Sequence, residues 1–320
     1  MAYLARRALN GIFLLFGVSL LTFLLVDLAP GEFFDEMRSN PRISAATIAG
    51  LRSEYGLDLP LPVKYFRWLR SATKGEGGFS FAYNSPAAPI LLRRAQNTLL
   101  LTGTATLAAW LIAIPFGVWA AAKPGRWPDA LAAGAIATLL AIPELILALL
   151  LLLLAVRSSF FPVGGAVSLN FAQMNVWSRL GDSTRHLFLP ALCLLAGLLP
   201  MLLSHVRSAM KEALDSPFIT AARAHGIPFQ RLLFRHALAA AANPLISLFG
   251  FSLGILLSSS LVVEGIFAWP GLGQLLIEAI LQRDFYLVVD SVVLATVFLI
   301  CGNFLADLLL YTADPRIRTE

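Results

Sequence analysis

Ser216-Pro217-Phe218-Ile219-Thr220-Ala221-Ala222-Arg223-Ala224-His225-Gly226-Ile227-Pro228-Phe229-Gln230-Arg231 is a polar island between two long apolar runs. A short, basic, Gly-broken segment of this kind cannot bury a core of its own. Pro217 suits the first turn of a helix. Phe218, Ala221, Ala222 and His225 then share one face at helical spacing. Gly226 and Pro228 stop that helix, and Phe229 to Leu233 begins a second helical piece. Ala221 and Ala222 give a low surface for close approach, Phe218 an apolar knob, and Arg223 and Arg231 charge on the flanks. Such a helix suits a groove on a partner protein or the surface of acidic lipid. Composition alone leaves both open.

The surroundings of the island are lipid-like. The 320 residues are 58% hydrophobic and only 13% charged, against about a quarter charged in soluble domains. A net charge of +5 gives little reason to invoke nucleic acid. It matches cationic loops on the cytoplasmic side of a membrane protein. A span needs about 20 mostly apolar residues, and six segments qualify: about 8–29, 98–122, 130–156, 187–208, 241–263 and 287–311. The third contains the run Leu149 to Leu154. The first is too long for a signal peptide and lacks a small-residue cleavage site, so it reads as a retained helix behind Arg6-Arg7. Pro115, Pro143 and Pro200 fall inside spans and predict kinks.

Six spans from a cytoplasmic start put both termini in the cytoplasm. Inside loops then hold Arg6, Arg7, Lys123, Arg126, Arg207, Lys211, Arg223, Arg231, Arg235, Arg316 and Arg318. The short outside loops hold Arg157, Arg179, Arg185 and Arg283. Long translocated segments do not count in this comparison, and with that exclusion the positive charge lies inside.

The long outside segment, about 31–97, has local order. Ser44 caps a helix with Ile48, Leu51 and Tyr55 on one face, closed by Gly56. Pro62 starts a second, Val63 to Thr73, with Phe66 and Leu69 together and Gly75 beyond its end. The pattern predicts a small cap packed on the bundle. Gly75-Glu76-Gly77-Gly78 has neither the preceding strand nor the ending of a phosphate loop. After the fifth span, Glu264-Gly265-Ile266-Phe267-Ala268-Trp269-Pro270-Gly271-Leu272-Gly273 turns at Pro-Gly. Gln274 to Leu281 follows as a helix too short to span. Trp269 is expected in an interfacial belt.

Little in the chain points to catalysis. It has no P-loop, HExxH or CxxC, and His186, His205, His225 and His236 lie in separate segments without ligand spacing. Cys193 and Cys301 sit in apolar runs and read as packing residues. Glu144, His205, Asp290 and Asp307 lie within spans, where ionisable groups are costly unless paired. They form either an ion path or polar packing at helix interfaces, with Glu144 placed to bond backbone freed near Pro143. Asp27, Glu264 and Arg207, at span ends, are expected to reach the interface. An ion-coupled secondary transporter would draw on these acids, yet the halves show no convincing repeat. An intramembrane enzyme would need acids or a nucleophile and base at matching depth, which scattered positions supply only if distant helices meet.

Thr220-Ala221-Ala222-Arg223-Ala224-His225-Gly226, with Arg235-His236-Ala237-Leu238 and Asn243-Pro244 after it, resembles the cytoplasmic signature of bacterial ABC-importer permeases. The likeness is to the branch serving dipeptides, oligopeptides and nickel, and to the first of its two permease subunits. Tyr55-Gly56-Leu57-Asp58-Leu59-Pro60-Leu61-Pro62 resembles that branch's outside segment. Phe267-Ala268-Trp269-Pro270-Gly271-Leu272-Gly273 resembles its loop after the fifth span, and Asp314-Pro315-Arg316-Ile317-Arg318 its ending. Thr220 stands where the broad pattern has Glu, which removes any argument from a Glu salt bridge to the ATPase.

The resemblance implies an all-α integral membrane protein of the type I importer fold. It has a first helix (1–30), an extracytoplasmic cap (31–97), a five-helix core (98–311) with a cytoplasmic coupling loop (209–240), and a tail (312–320). Phe218, Thr220, Ala221, Ala222, Arg223, His225, Gly226 and Pro228 would form the coupling helix and its stop, seated in a groove of an ATPase. The implied partners are a second homologous permease, two ATPase subunits that bind ATP and Mg, an extracytoplasmic substrate-binding protein, a peptide and membrane lipid. The chain itself would hydrolyse nothing and hold no cofactor. Its place would be the bacterial inner membrane. Nickel or another solute remains the alternative cargo, although no His- or Cys-rich lining suggests nickel.

Overall fold

The computed structural model describes residues 2–31, 33–34, 44–158 and 160–313. The Asp314 to Arg318 motif lies outside the described residues, as do most of 32–43. Eleven helices and one short strand pair organise the described chain. In order they are α1 (Ala2–Leu28), α2 (Ala45–Glu54), α3 (Leu61–Thr73), β1 (Phe79–Ser80), β2 (Ser85–Pro86), α4 (Ala87–Ala122), α5 (Trp127–Ala141) and α6 (Glu144–Arg157). After a 3-10 turn at Phe171–Gln173 come α7 (Val176–Asp215), α8 (Pro217–Ala224), α9 (Ala242–Ile266), α10 (Leu272–Leu281) and α11 (Phe285–Ala313). Between α8 and α9, an α-turn at Phe229–Arg231 leads into a π-helical stretch, Leu232–Ala237, and a last short turn, Leu238–Ala240.

Among the described residues, five helices are long and apolar enough to cross a membrane: α1, α4, α7, α9 and α11. The pair α5 and α6 makes a sixth if counted as one span, although its halves meet at 90°. Pro143 does more than kink the third span. Ile142 is extended (φ −100°, ψ 113°) and so is Pro143 (φ −58°, ψ 137°), because a residue before proline is pushed out of the helical region. By contrast, the helices run on through Pro115 and Pro200. Two spans are longer than their apolar cores. The helix α4 begins at Ala87, and α7 covers 40 residues, since polar ends such as Arg93-Arg94 stay helical beyond the lipid.

The chain divides into two compact units. The first contains residues 99–269 and the C-terminal part of α11. Here α7 packs against α5, α6 and α9. Its core is rich in small residues: Ala105, Ala109, Ala113, Ala148 and Ala155 are all buried. Within lipid, helices gain little by hiding apolar surface from a solvent as apolar as themselves, so close backbone approach decides packing. Gly117 shows this directly, since a Cβ there would lie 2.6 Å from Val206 Cγ1. Gly250 does the same against Ala306, at 2.5 Å. Trp269, expected in an interfacial belt, is buried in this core, 2% exposed. Its backbone N–H is tied to Glu264 O at 2.9 Å, and that turn folds the indole inward. Glu264 is likewise fully buried.

The second unit holds residues 7–98 and 270–300. Ser44 caps α2 as expected, accepting from Thr47 N at 3.1 Å through Oγ. Gly56 (φ +69°) and Gly75 (φ +77°) follow α2 and α3 in the left-handed region that favours glycine. The cap is fastened to the start of α11 by two carboxylates. Asp290 accepts from Trp68 Nε1 (2.7 Å) and Gly78 N (2.8 Å). Asp284 accepts from Ser80 Oγ (2.7 Å) and Ala82 N (3.0 Å), which fixes the β1–β2 turn. Phe23, Tyr65, Trp68, Tyr286 and Val289 form the apolar seam beneath them.

Asp290 thus serves as a structural acceptor. Replacing it with Ala is expected to leave the buried Trp68 Nε1 unpaired, at about 1–3 kcal/mol, and the half-buried Gly78 N at less. The cap should then be cleaved faster in limited proteolysis, with a lowered thermal midpoint and Asp290→Asn intermediate. Unchanged proteolysis of Asp290→Ala would refute the fastening role.

Candidate functional site

The helix α8 spans eight residues, opened by Pro217 and closed at Gly226, whose φ is +78°. Ser216 Oγ donates to Ala213 O at 2.5 Å, which holds the corner between α7 and α8. One residue fixes the helix to the body of the protein. Ile219 is fully buried in the core that also holds Met210, Ala213, Leu232 and Leu233. Its burial turns the opposite face outward. Phe218 is 49% exposed, Thr220, Ala221, Arg223 and His225 are exposed, and Ala222 is half-buried. His225 Nδ1 lies 2.8 Å from Ala221 O, and the Arg223 guanidinium lies 6.0 Å over the Phe229 ring. Pro228 starts the next turn, and its exposed ring adjoins the Gly226 stop. Of the eight residues singled out in sequence, Phe218, Thr220, Ala221, Arg223 and His225 are exposed on α8 or at its end, Ala222 packs half-buried beside Ile219, and Gly226 and Pro228 lie in the exposed turn beyond it, with Ile219 as the anchor that the sequence pattern left unassigned. The signal was present: Ile219 is the one β-branched apolar residue of α8, and it adjoins Ala222 at i,i+3 spacing on the edge of the Phe218–Ala221–Ala222–His225 face.

An ionic clamp lies up the chain from this helix. Asp129, in the first turn of α5 and 8% exposed, accepts from Arg207 Nε at 2.5 Å and Lys211 Nζ at 3.3 Å, both on α7. It also accepts from Gly125 N at 3.0 Å. One carboxylate thus ties the Lys123–Arg126 turn and the start of α5 to the last turns of α7, next to α8. Sequence reading placed Arg207 and Lys211 among loop cations and gave Asp129 no role, because 78 residues separate Asp129 from Arg207.

In the second unit, Arg94 Nη2 and Tyr83 Oη both donate to Glu278 Oε2, at 3.2 and 2.7 Å. Burial, and then the Glu278 carboxylate beside it, push the Tyr83 phenol above its ordinary value. Asn97 Nδ2 donates to Pro270 O and Leu272 N donates to Thr98 Oγ1, so the polar end of α4 holds the start of α10. Arg94 and Asn97, placed by the apolar count in the outside segment, are thus part of α4, and Thr98 opens the expected span.

Three other intramembrane candidates lie on separate helices, His205 on α7, Asp307 on α11 and Glu144 on α6. His205 Nδ1 faces its own helix at Met201 O, and Asp307 is buried in α11. Glu144 opens α6 at the 90° break, but its buried Oε1 has no hydrogen-bond partner among the described residues, so that atom does not cap freed backbone near Pro143. Among the described residues, no group of three or more His, Cys, Asp or Glu side chains is placed to hold a metal.

Comparison with known proteins identifies the family. Residues 113–319 match the family described as binding-protein-dependent transport system inner membrane component. Residues 1–102 match its N-terminal companion. The oligopeptide transport system permease protein AppB of Bacillus subtilis is 36% identical, over 99% of each chain. The dipeptide transport system permease protein DppB of Escherichia coli K12 is 33% identical over 94% of each. The glutathione transport system permease protein GsiC of Salmonella paratyphi A is 32% identical over 99% of this chain and 98% of its own. Among solved structures, an inward-facing MetNI methionine ABC transporter chain superposes with a TM-score of 0.56 at 18% identity. It covers 70% of this chain and 96% of its own, which is a likeness of fold. The matched family is the multi-pass, inner-membrane part of a transporter that works with a binding protein and leaves ATP hydrolysis to separate subunits. The chain belongs to the ABC-importer permeases of the oligopeptide and dipeptide transport family.

Proposed function

We propose that this permease carries peptides into a bacterial cytoplasm and that α8 is the lever through which ATP hydrolysis drives it. The observation that carries the second part is the geometry of α8: one buried anchor, Ile219, and an outward face of Phe218, Thr220, Ala221, Arg223 and His225. A short helix with a flat, knobbed face suits a groove on a partner. The cargo rests on the three relatives above, whose names specify oligopeptide, dipeptide and glutathione.

In this assignment a second, homologous permease completes the pathway and two ATPase subunits bind ATP and Mg. A binding protein delivers cargo to the outer side. Both termini and the 209–240 loop face the cytoplasm, while the 31–97 cap faces outward, as the distribution of Arg and Lys supports. Closure of the ATPases displaces α8 as a rigid body. The Asp129 clamp gives that displacement a stiff route into α5 and α7.

The test is reconstitution of the chain with its neighbouring permease, ATPases and binding protein in proteoliposomes. The expected result is ATP-dependent accumulation of labelled di- or oligopeptide, with ATP hydrolysis stimulated by the loaded binding protein. Accumulation by this chain alone under a proton gradient, without ATP, would overturn the assignment. Uptake of nickel in place of peptide would overturn the cargo alone.

A further inference from the structure

The cap helix α3 lies deeper than an outside loop needs to. Tyr65 Oη is 2.9 Å from Ser19 Oγ, and the Tyr65 ring packs edge-on against Phe16 and Phe23, with centroids 6.1 and 5.4 Å apart. Trp68 lies against Phe23 at 5.8 Å. Lys64 pairs with Asp27 near the end of α1. Ser19 precedes Leu28, the last residue of α1, by nine positions, or about 14 Å along the axis. On the flank of α1 turned away from Ser19 and Phe23, Leu20, Leu24, Leu25 and Leu28 are exposed. That run of exposed leucine carries lipid contact to the helix end. A side chain reaching Ser19 therefore reaches membrane depth.

The buried face of α3 is Lys64, Tyr65 and Trp68. Its other face carries Val63 (49% exposed) and Phe66 (67% exposed), with Arg67, Arg70 and Lys74 exposed at the same helical spacing. Exposed apolar residues one turn from a row of cations, on a helix held against a lipid-facing span, match an interfacial helix. Such a helix sinks its apolar residues to the acyl boundary, and long cations bend up to the headgroups. The charge is right for anionic phospholipid.

From this geometry we infer that α3 docks on the outer leaflet, with Val63 and Phe66 in the acyl boundary and Arg67, Arg70 and Lys74 on anionic phosphate headgroups. The inference rests on the outward orientation of the cap proposed above. It makes the cap an anchor that holds the binding-protein side of the permease at a fixed height over the bilayer.

Spin labels on the assembled transporter in nanodiscs test it. Cys193 and Cys301 are first replaced with Ser, and single labels are placed by Phe66→Cys, Val63→Cys and Glu76→Cys. In phosphatidylethanolamine with phosphatidylglycerol, the ratio of oxygen to water-soluble nickel-complex accessibility should be about fivefold higher at the first two sites than at Glu76→Cys. Removing phosphatidylglycerol, or replacing Arg67, Arg70 and Lys74 together with Gln, should lower that ratio about twofold.

Ready access of the nickel complex to Phe66→Cys would overturn the proposal. So would an immobile label reached by neither reagent, which would mean that protein covers the face. Indifference to phosphatidylglycerol would overturn the headgroup contact. Orientation is read separately with an impermeant maleimide on Glu76→Cys in intact cells. Labelling only in opened cells would overturn the outward orientation and the choice of leaflet with it.

Discussion

Ala221→Arg is expected to abolish ATP-driven uptake while the permease itself still folds. Ala221 is exposed on α8, so a longer side chain there meets solvent in the free chain and should leave its stability near wild type. The cost appears only when a partner seats on the helix. Forcing bulk into a well-packed contact costs about 1–3 kcal/mol, which is about 5- to 150-fold in affinity. Ala222→Glu should act in the same direction and add some strain, because Ala222 is half-buried against the core. The ATPase should co-purify in reduced amount, and hydrolysis should no longer respond to loaded binding protein. Gln230→Arg supplies the contrast. That residue is exposed but lies beyond the Gly226–Pro228 stop, and coupling should survive the change. If Ala221→Arg retained both co-purification and stimulated hydrolysis, the ATPase would have to engage another surface.

What was legible in the sequence follows the range of the forces involved. Spans are written as continuous apolar runs, so α1, α9 and α11 lie close to their expected places. Caps and stops are local, and Ser44, Gly56, Gly75, Pro217 and Gly226 each act within a few residues of themselves. Pro143 was legible as a disturbance but not as a right angle. The bend depends on both Ile142 and Pro143 leaving the helical region, and α6 then packs on α7 and α9. Polar helix ends were undercounted because apolar windows stop where lipid stops. The helix α4 continues to Ala87 through Arg94, Asn97 and Thr98, whose partners lie near Pro270 and Glu278.

The two-residue strands at Phe79 and Ser85 carry almost no pattern of their own. They exist because Asp284, some 200 positions away, accepts from Ser80 and Ala82. The short helix α8 was readable by the same logic. Its residues are adjacent in sequence and share one helix, whereas Asp129 met its cations only through the fold.

The second large effect is expected at that clamp. Asp129→Ala removes the one acceptor shared by Arg207, Lys211 and Gly125 N. Breaking a buried ion pair from one side costs about 3–5 kcal/mol, because the remaining charge keeps its desolvation penalty and loses its compensation. Here the side chains of Arg207 and Lys211 retain 25% and 32% exposure, against 11% for Asp129. Water therefore relieves part of the cost, and about 2 kcal/mol is the better expectation.

Asp129→Asn keeps an oxygen for Gly125 N and should lose less. Replacing the three charged residues together, Asp129→Leu with Arg207→Met and Lys211→Met, should recover much of the thermal midpoint, since apolar side chains of similar size carry no unpaired charge. Uptake separates stability from transmission. If the clamp stiffens the route from α8 to α5 and α7, the apolar triple variant should be stable yet hydrolyse ATP with weaker coupling to transport. Wild-type uptake per ATP in that variant would confine Asp129 to a structural role. An unchanged thermal midpoint in Asp129→Ala would remove the clamp altogether.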